Sequence, residues 1–230
     1  MLLRGKRPLG LAVLPLLAVV LAIADRALST NVTPATRYAS LAETLFLSTA
    51  VAIVSLVLGA SSIGDERDDG SILHIAATPI PRRTIILSKL AAASTAVLVL
   101  CGPALAACIA IGLGGDATVR AVLWSAIALI LCGIAYSALF LVLALVSGRP
   151  VLIGLIYIVL WEGSVATFAP QANWLSVGAY GRSLIAEGLP GAERSNVPSI
   201  SGPGSIVVLV IAVALFAWLA SYRLARVELP

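Results

Sequence analysis

Long apolar stretches are the feature that most restricts what this chain can fold into. Crossing the roughly 30 Å hydrocarbon core of a bilayer takes about 20 apolar residues in an α-helix. The chain has 230 residues, of which 60% are hydrophobic and 11% charged, so six such stretches use most of its length. We therefore predict an all-α, polytopic membrane protein with six transmembrane helices in one domain over residues 1–230, which leaves no room for a soluble catalytic domain.

The six predicted spans are separated by polar, glycine-rich or proline-rich breaks. They cover about Leu9–Ala24, Thr44–Ala60, Leu90–Leu113, Ala121–Val146, Val151–Trp161 and Ile206–Tyr222. The link from Ser147 to Pro150 is so short that the fourth and fifth spans must be antiparallel neighbours. Residues 163–204 mix aromatic and apolar side chains with prolines and glycines, which predicts a re-entrant or interfacial segment before the sixth span.

The first apolar run leaves two interpretations open. It ends in Ala22-Ile23-Ala24, which fits the small-residue pattern of a signal-peptidase site. We favour a retained span, because the run slightly exceeds a usual signal core and Ala27 and Leu28 can extend its helix. A cleaved signal peptide is the alternative.

The distribution of Lys and Arg predicts the orientation. With the amino terminus inside, ten of these residues lie on the inner side and five on the outer side. The outer five are Arg26, Arg37, Arg120, Arg182 and Arg194. Because basic residues favour the cytoplasmic side, both termini and residues 61–89 are predicted to be cytoplasmic. These residues flank apolar runs and form no basic face for nucleic acid.

Residues 61–89 form the long polar interruption of this pattern. Four carboxylates between Asp65 and Asp69 precede an amphipathic run, Ile72 to Ala76, whose spacing fits one face of a two-turn helix that Pro79 then ends. Carboxylates at a helix N-terminus are favourable by about 0.3–1 kcal/mol each. We predict a surface helix that docks another protein, and a helix lying against the protein's own spans is the alternative.

The sequence lacks the residue patterns of metal sites, hydrolase active sites and phosphate-binding loops. The three cysteines lie in apolar runs without a Cys-x-x-Cys spacing, and His74 is the only histidine, so we expect neither a metal site nor a Ser-His hydrolase. Residues 59–64 have the glycine spacing of a phosphate-binding loop, but Asp65 and Glu66 follow where Lys and Ser or Thr are needed. We therefore expect no cofactor in this chain, and any ATP is bound by a partner.

Glu162 is an acid within an apolar run. A charge near the bilayer centre costs roughly 2.5 kcal/mol or more, so such residues usually face a cavity or a partner. Counted from Pro150, Glu162 lies about 18 Å into the bilayer. We predict that it faces protein or water at the outer end of a pathway, with Arg182 as its candidate donor. The alternative is the interfacial end of the fifth span.

The polar loop closely resembles the segment between the second and third spans of type-2 ABC exporter permeases. The resemblance rests on an acidic residue, a Gly-Ser pair, an apolar helix ending before Pro, a basic pair and Lys89; the YIVLWE segment ending at Glu162 and the stretch before the last span are also similar. The loop positions that match, and that the resemblance implies contact an ATPase, are Asp65, Glu66, Gly70, Ser71, Ile72, Leu73, Pro79, Arg82 and Arg83.

This resemblance implies a bacterial plasma-membrane permease that performs no catalysis itself. It implies two ATP-binding ABC subunits docked on a cytoplasmic coupling helix, and a second permease copy or a paralogue as dimer partner. Two alternatives stay open: a haem-exporter permease of cytochrome c maturation, and a membrane scaffold or small enzyme without an ATPase. A neighbouring gene for an ATP-binding subunit separates the last alternative from the others.

Overall fold

The computed structural model describes residues 7–28, 33–68, 81–165, 170–189 and 201–225. Within these ranges the chain is almost entirely helical and has no strand, which confirms the all-α prediction. Five of the described helices are long and apolar enough to cross a membrane. The fifth predicted span corresponds to a shorter apolar helix, Pro150–Gly163, so the count of six spans stays a prediction.

The elements follow one another with short connections. In chain order they are α1 (Arg7–Leu28), α2 (Pro34–Ser40), the π-helix π1 (Leu41–Val51), α3 (Ala52–Asp68), α4 (Arg82–Gly112), a 3₁₀ turn (Gly114–Asp116), α5 (Val119–Val146), α6 (Pro150–Ile156), the π-helix π2 (Tyr157–Val165), a second 3₁₀ turn (Pro170–Leu175), α7 (Val177–Gly188) and α8 (Gly202–Ala225). Residues 34–68 are helical without a break, so α2, π1 and α3 make one long helix.

This long helix begins ten residues before the predicted start of the second span. Pro34 occupies the first turn, where its missing N–H costs nothing, and the Thr33 side chain accepts a hydrogen bond from the Thr36 N–H. Tyr38 is fully buried and donates to Ser125 Oγ at 2.8 Å. The segment that looked like a polar connection is therefore the packed first part of the helix.

The same helix also ends later than predicted. Asp65 and Glu66 lie near the carboxyl end of α3, where the helix dipole places a negative partial charge. The predicted coupling helix, from Gly70 to Thr78, lies outside the described residues.

Helix α5 is the centre of the bundle. It packs against α3, α4, α7 and α8, and its inner face is buried. The peripheral helices α1 and α8 and the segment α6–π2 instead expose aliphatic side chains, for example Leu16 at 59%, Leu160 at 57% and Ile211 at 61%. Apolar surface of this extent is stable in lipid and not in water.

Polar contacts at the two ends of the bundle join neighbouring helices. At one end the ion pairs are Arg37–Asp25 at 3.5 Å and Arg120–Glu187 at 3.1 Å, and Arg26 donates to the Ile111 carbonyl. At the other end Lys89 Nζ donates to the Ser62 carbonyl at 2.8 Å, and Arg82 donates to the Leu224 carbonyl at 3.2 Å. Among the described basic residues, Arg26, Arg37 and Arg120 therefore lie at one end of the bundle and Lys89 and Arg82 at the other, whereas Arg182 lies inside it.

Candidate functional site

A short inner helix, α7, is the unusual element of this bundle. Its 12 residues rise about 18 Å, which is too short to cross a bilayer, and every residue from Val177 to Ala186 is buried. Ser176 caps it, because its Oγ accepts from the Ala179 N–H at 3.0 Å. The segment before the last span thus contains a buried helix, and its predicted re-entrant path stays a prediction.

Glycines bring the backbone of α7 directly against α5. A Cβ atom on Gly181 would lie 2.7 Å from Cys132 Sγ, and one on Gly188 would lie 2.9 Å from Trp124 Cβ. Both separations are shorter than ordinary Cβ contacts, so a larger residue at either position forces a neighbouring atom to shift. Small residues that let two helix backbones approach closely are typical of helix packing inside membranes.

The carboxylate of Glu162 sits at the N-terminus of α7. Glu162 is only 5% exposed and accepts hydrogen bonds from Ser176 Oγ at 2.6 Å, the Gly178 N–H at 3.3 Å and Tyr157 Oη at 3.3 Å. A helix N-terminus stabilises a negative charge through its unpaired N–H groups and its dipole. Glu162 therefore faces protein and holds the start of α7 against π2.

Arg182 does not make the contact that we predicted. Its side chain is 8% exposed, and Nη1 donates to Ser48 Oγ at 3.1 Å, whereas no ion pair joins Arg182 to Glu162 in the described part of the chain. The donors to Glu162 are local, because Ser176 and Gly178 are next to it once α7 has docked. Arg182 is also not in an outer loop, as the count of basic residues assumed, but inside the bundle.

The two charged residues nevertheless belong to one group of side chains. A Cβ atom on Gly178 would lie 2.6 Å from Glu162 Oε2, 2.8 Å from Ser48 Oγ and 3.1 Å from Tyr136 Oη, so these three oxygens converge on one point of α7. We call Ser48, Tyr136, Glu162, Ser176 and Arg182 the polar cluster. It joins π1, α5, π2 and α7, and Tyr157 Oη of π2 also donates to its Glu162.

One donor of the polar cluster is not used. Arg182 Nε is buried and has no hydrogen-bond partner among the described residues. Buried polar groups are almost always paired, so an unpaired one calls for an explanation. The cluster thus combines a buried acid, a buried base and hydroxyl groups from several helices.

Sequence reasoning found the two charges of the cluster and missed its hydroxyls. Ser48, Tyr136 and Ser176 are ordinary residues of apolar or mixed segments, and one sequence does not tell which faces meet. Ser48 and Glu162 both lie in π-helices, which often mark functional sites. The wider π-helical turn has no compositional signature that could have revealed this.

The predicted ATPase-contact residues lie elsewhere. Asp65 and Glu66 are near the end of α3, and Arg82 and Arg83 are exposed in the first turn of α4. The bond from Lys89 to the Ser62 carbonyl holds these two helix ends together. Gly70, Ser71, Ile72, Leu73 and Pro79 lie outside the described residues.

Comparison with known proteins identifies the family. A search of curated proteins finds no similar sequence. A family model described as "ABC-2 family transporter protein" matches residues 6–161, which is more than half of the chain and runs from the start of α1 into π2. This match agrees with the resemblance of the polar loop and with the apolar helices of the bundle. The chain belongs to the ABC-2 family of transporter membrane proteins.

Proposed function

We propose that this chain is the membrane-spanning permease subunit of an ATP-driven ABC exporter. The family match over residues 6–161 carries the proposal, since this family consists of the membrane subunits of ABC transporters. Such a subunit performs no catalysis of its own. ATP is bound and hydrolysed by separate ABC subunits, and this chain holds no cofactor.

Coupling to the ATPase is assigned to residues 61–89. The ends of α3 and α4 that flank this segment meet at one end of the bundle, where Lys89 donates to the Ser62 carbonyl and Arg82 to the Leu224 carbonyl. A protein that displaces residues 61–89 therefore moves α3, α4 and α8 together. The contact residues are Asp65, Glu66, Gly70, Ser71, Ile72, Leu73, Pro79, Arg82 and Arg83.

The assembly that follows has two ATP-binding subunits on the cytoplasmic side and a second permease, either a copy or a paralogue. Both termini of this chain lie in the cytoplasm of a bacterial cell, which places the Arg120–Glu187 end of the bundle outside. The cargo passes between spans, and the polar cluster with Glu162 and Arg182 forms part of the pathway or its outer gate.

Two loop variants test the coupling. The permease is co-expressed with the ATP-binding subunit encoded beside it, and ATPase activity is measured in reconstituted vesicles. We expect Glu66→Lys, and Ile72→Asp combined with Leu73→Asp, to lower permease-stimulated ATPase activity at least about tenfold, because central contacts of an interface are often worth 2 kcal/mol or more. The amount of inserted permease should not change.

Asp116→Lys is the matched control for the loop variants. It reverses one charge in the turn at the opposite end of the bundle, and ATPase stimulation should be unaffected. Full stimulation in both loop variants contradicts the docking assignment. A permease that binds no ATP-binding subunit at all favours the scaffold or enzyme alternative.

A further inference from the structure

The carboxyl-terminal half of α8 presents a continuous apolar stripe on the outside of the bundle. Its exposed members are Ile211, Leu215, Trp218 and Tyr222. Their spacing of four, three and four residues places them on one face of the helix. Fully buried Ala220 lies on the opposite face, which packs against α4. We call the four exposed residues the α8 stripe.

The α8 stripe has the length of one leaflet of a bilayer. The rise from Ile211 to Tyr222 is about 16 Å, and half of a hydrocarbon core of roughly 30 Å is about 15 Å. The stripe ends at the end of the bundle that carries Lys89 and Arg82, since Arg82 donates to the Leu224 carbonyl. One acyl chain can therefore lie along the stripe, with its headgroup at the carboxyl end of α8.

Two stacked rings form the last part of the α8 stripe. The ring centroids of Trp218 and Tyr222 are 5.7 Å apart, and the planes of the rings differ by 16°. The other two ring pairs in the described part of the chain both contain buried Phe140. Trp and Tyr combine an apolar ring with a polar edge, so they prefer the boundary between acyl chains and headgroups. The stacked pair therefore places this boundary in the last turns of α8.

Two exposed arginines from different helices lie at the same boundary. Arg223 follows Tyr222, and Arg82 of α4 reaches the next residue of α8, because its Nη1 donates to the Leu224 carbonyl at 3.2 Å. Neither the α4 range 82–112 nor the α8 range 202–225 contains an acidic residue. The positive charge of the two guanidinium groups is therefore not neutralised by the helices that carry them.

The chemistry of this place fits a lipid with a net negative headgroup. A guanidinium group presents several N–H donors in a plane and matches the oxygens of a phosphate. A zwitterionic headgroup brings its own cation, which two arginines repel, whereas an anionic headgroup has no such cation. A free phosphate ion has no acyl chain and leaves the α8 stripe uncovered.

We propose that the carboxyl end of α8 is a binding site for an anionic phospholipid. The lipid phosphate lies at Arg223 beside Arg82, and an acyl chain runs along the α8 stripe under the ring of Trp218. The site needs neither a cargo nor an ATP-binding subunit, so it goes beyond the proposed transport function and is tested with the permease alone.

Quenching by brominated lipids measures binding next to Trp218. The full-length permease is reconstituted into phosphatidylcholine vesicles in which a minor fraction of the lipid is brominated, as either phosphatidylglycerol or phosphatidylcholine. The chain has four tryptophans, so each measurement is repeated with Trp218→Phe, and the difference is the signal of Trp218. The dependence of quenching on the brominated fraction gives the relative affinity of the site for the two lipids.

We expect Trp218 to prefer phosphatidylglycerol over phosphatidylcholine about tenfold or more, since each basic residue close to an anionic headgroup contributes a factor of roughly five. Arg223→Gln should lower this preference about fivefold, and Arg223→Lys should retain most of it. Arg82 also belongs to the segment assigned to the ATPase, so Arg223 is the residue that is varied.

Arg149→Gln is the matched control. Arg149 is another exposed arginine of the predicted inner side, but it lies at the start of α6, whereas α8 packs on α4, α5 and α7. Its loss should leave the lipid preference at Trp218 unchanged. An equal decrease in Arg149→Gln and Arg223→Gln means that the charge acts diffusely, and overturns the proposal.

Three further outcomes overturn the proposal. Equal quenching of Trp218 by the two lipids shows that the site does not recognise the headgroup. An unchanged preference in Arg223→Gln shows that Arg223 does not bind the phosphate. Quenching by neither lipid shows that protein covers the α8 stripe, as a second copy of the permease would. None of these results bears on the proposed function, because no ATP-binding subunit is present.

Discussion

At the scale of single residues, Gly178 decides whether the polar cluster can form. Its backbone N–H donates to Glu162, and its missing side chain is what lets three oxygens from three other elements approach α7. The α-helical position itself does not require glycine, because no left-handed conformation occurs there. Glycine is required because Glu162, Ser48 and Tyr136 leave no room for a Cβ atom at this position.

Gly178→Ala should therefore destabilise the protein. The new methyl group would lie 2.6 Å from Glu162 Oε2 and 2.8 Å from Ser48 Oγ, and overpacking of this kind costs about 1–3 kcal/mol. We expect a melting temperature several degrees lower in detergent, measured by thermal unfolding. Gly102→Ala is the control, because no atom lies within 4 Å of its Cβ position and alanine favours the helix. A higher melting temperature for Gly178→Ala contradicts the described packing.

The cluster also shows how far residue-level prediction reaches. That Glu162 has partners within the protein was predictable, since an acid in an apolar run is costly wherever it lies. Its partners were not predictable, because they depend on how α7 docks. Arg182 was the nearest sequence candidate and instead donates to Ser48, which is 134 positions away in the chain.

At the scale of elements, the hydrophobic pattern predicted where the long helices lie but not where they begin. Thr33-Pro34 is a helix-start signal that was present in the sequence, and the structure uses it. The apolar pattern is weak there because Arg37 and Ser40 interrupt it. Burial of Tyr38 against α5 compensates for this, and such tertiary packing is invisible in the local pattern.

The Tyr38–Ser125 hydrogen bond tests this early start of the helix. Tyr38→Phe leaves the Ser125 hydroxyl without its buried partner and should cost about 1–3 kcal/mol in stability. Adding Ser125→Ala should recover part of that loss, because no unpaired polar group is then left. Thermal unfolding of Tyr38→Phe, Ser125→Ala and the double variant gives the coupling free energy between the two hydroxyl groups. Strictly additive losses contradict a packed α2.

At the scale of the whole molecule, the packing order of the helices is what the sequence could not reveal. In a bilayer the surface that faces lipid is as apolar as the surface that faces another helix, so hydropathy does not distinguish central α5 from peripheral α1. The distinction lies in small residues and hydroxyls, such as Gly59, whose Cβ position is 3.1 Å from the Ser137 carbonyl of α5. Orientation, by contrast, follows from charges at helix ends.

The last prediction is the orientation of the molecule in the membrane. Arg26, Arg37 and Arg120 lie at one end of the bundle, and Lys89 and Arg82 lie at the other. Because Arg182 lies inside the bundle and not in an outer loop, it no longer counts as an outer residue. The count of Lys and Arg then changes from ten inner against five outer to ten inner against four outer. Since basic residues are retained on the cytoplasmic side, the inner end is the one that carries residues 61–89.

Reporter fusions measure this orientation directly. Fusions at Gly70 and after Pro230 should be active only as cytoplasmic reporters, and fusions at Gly115 and Gly191 only as external ones. The pair at Gly70 and Gly115 flanks α4, so opposite readings within the pair also verify that this helix crosses the membrane. The fusion at Pro230 carries the most weight, because a cytoplasmic carboxyl terminus together with a cytoplasmic amino terminus requires an even number of spans. If the reporter after Pro230 is external, α6–π2 does not cross the bilayer. The chain then has five spans and not six, and α8 crosses the membrane in the opposite direction.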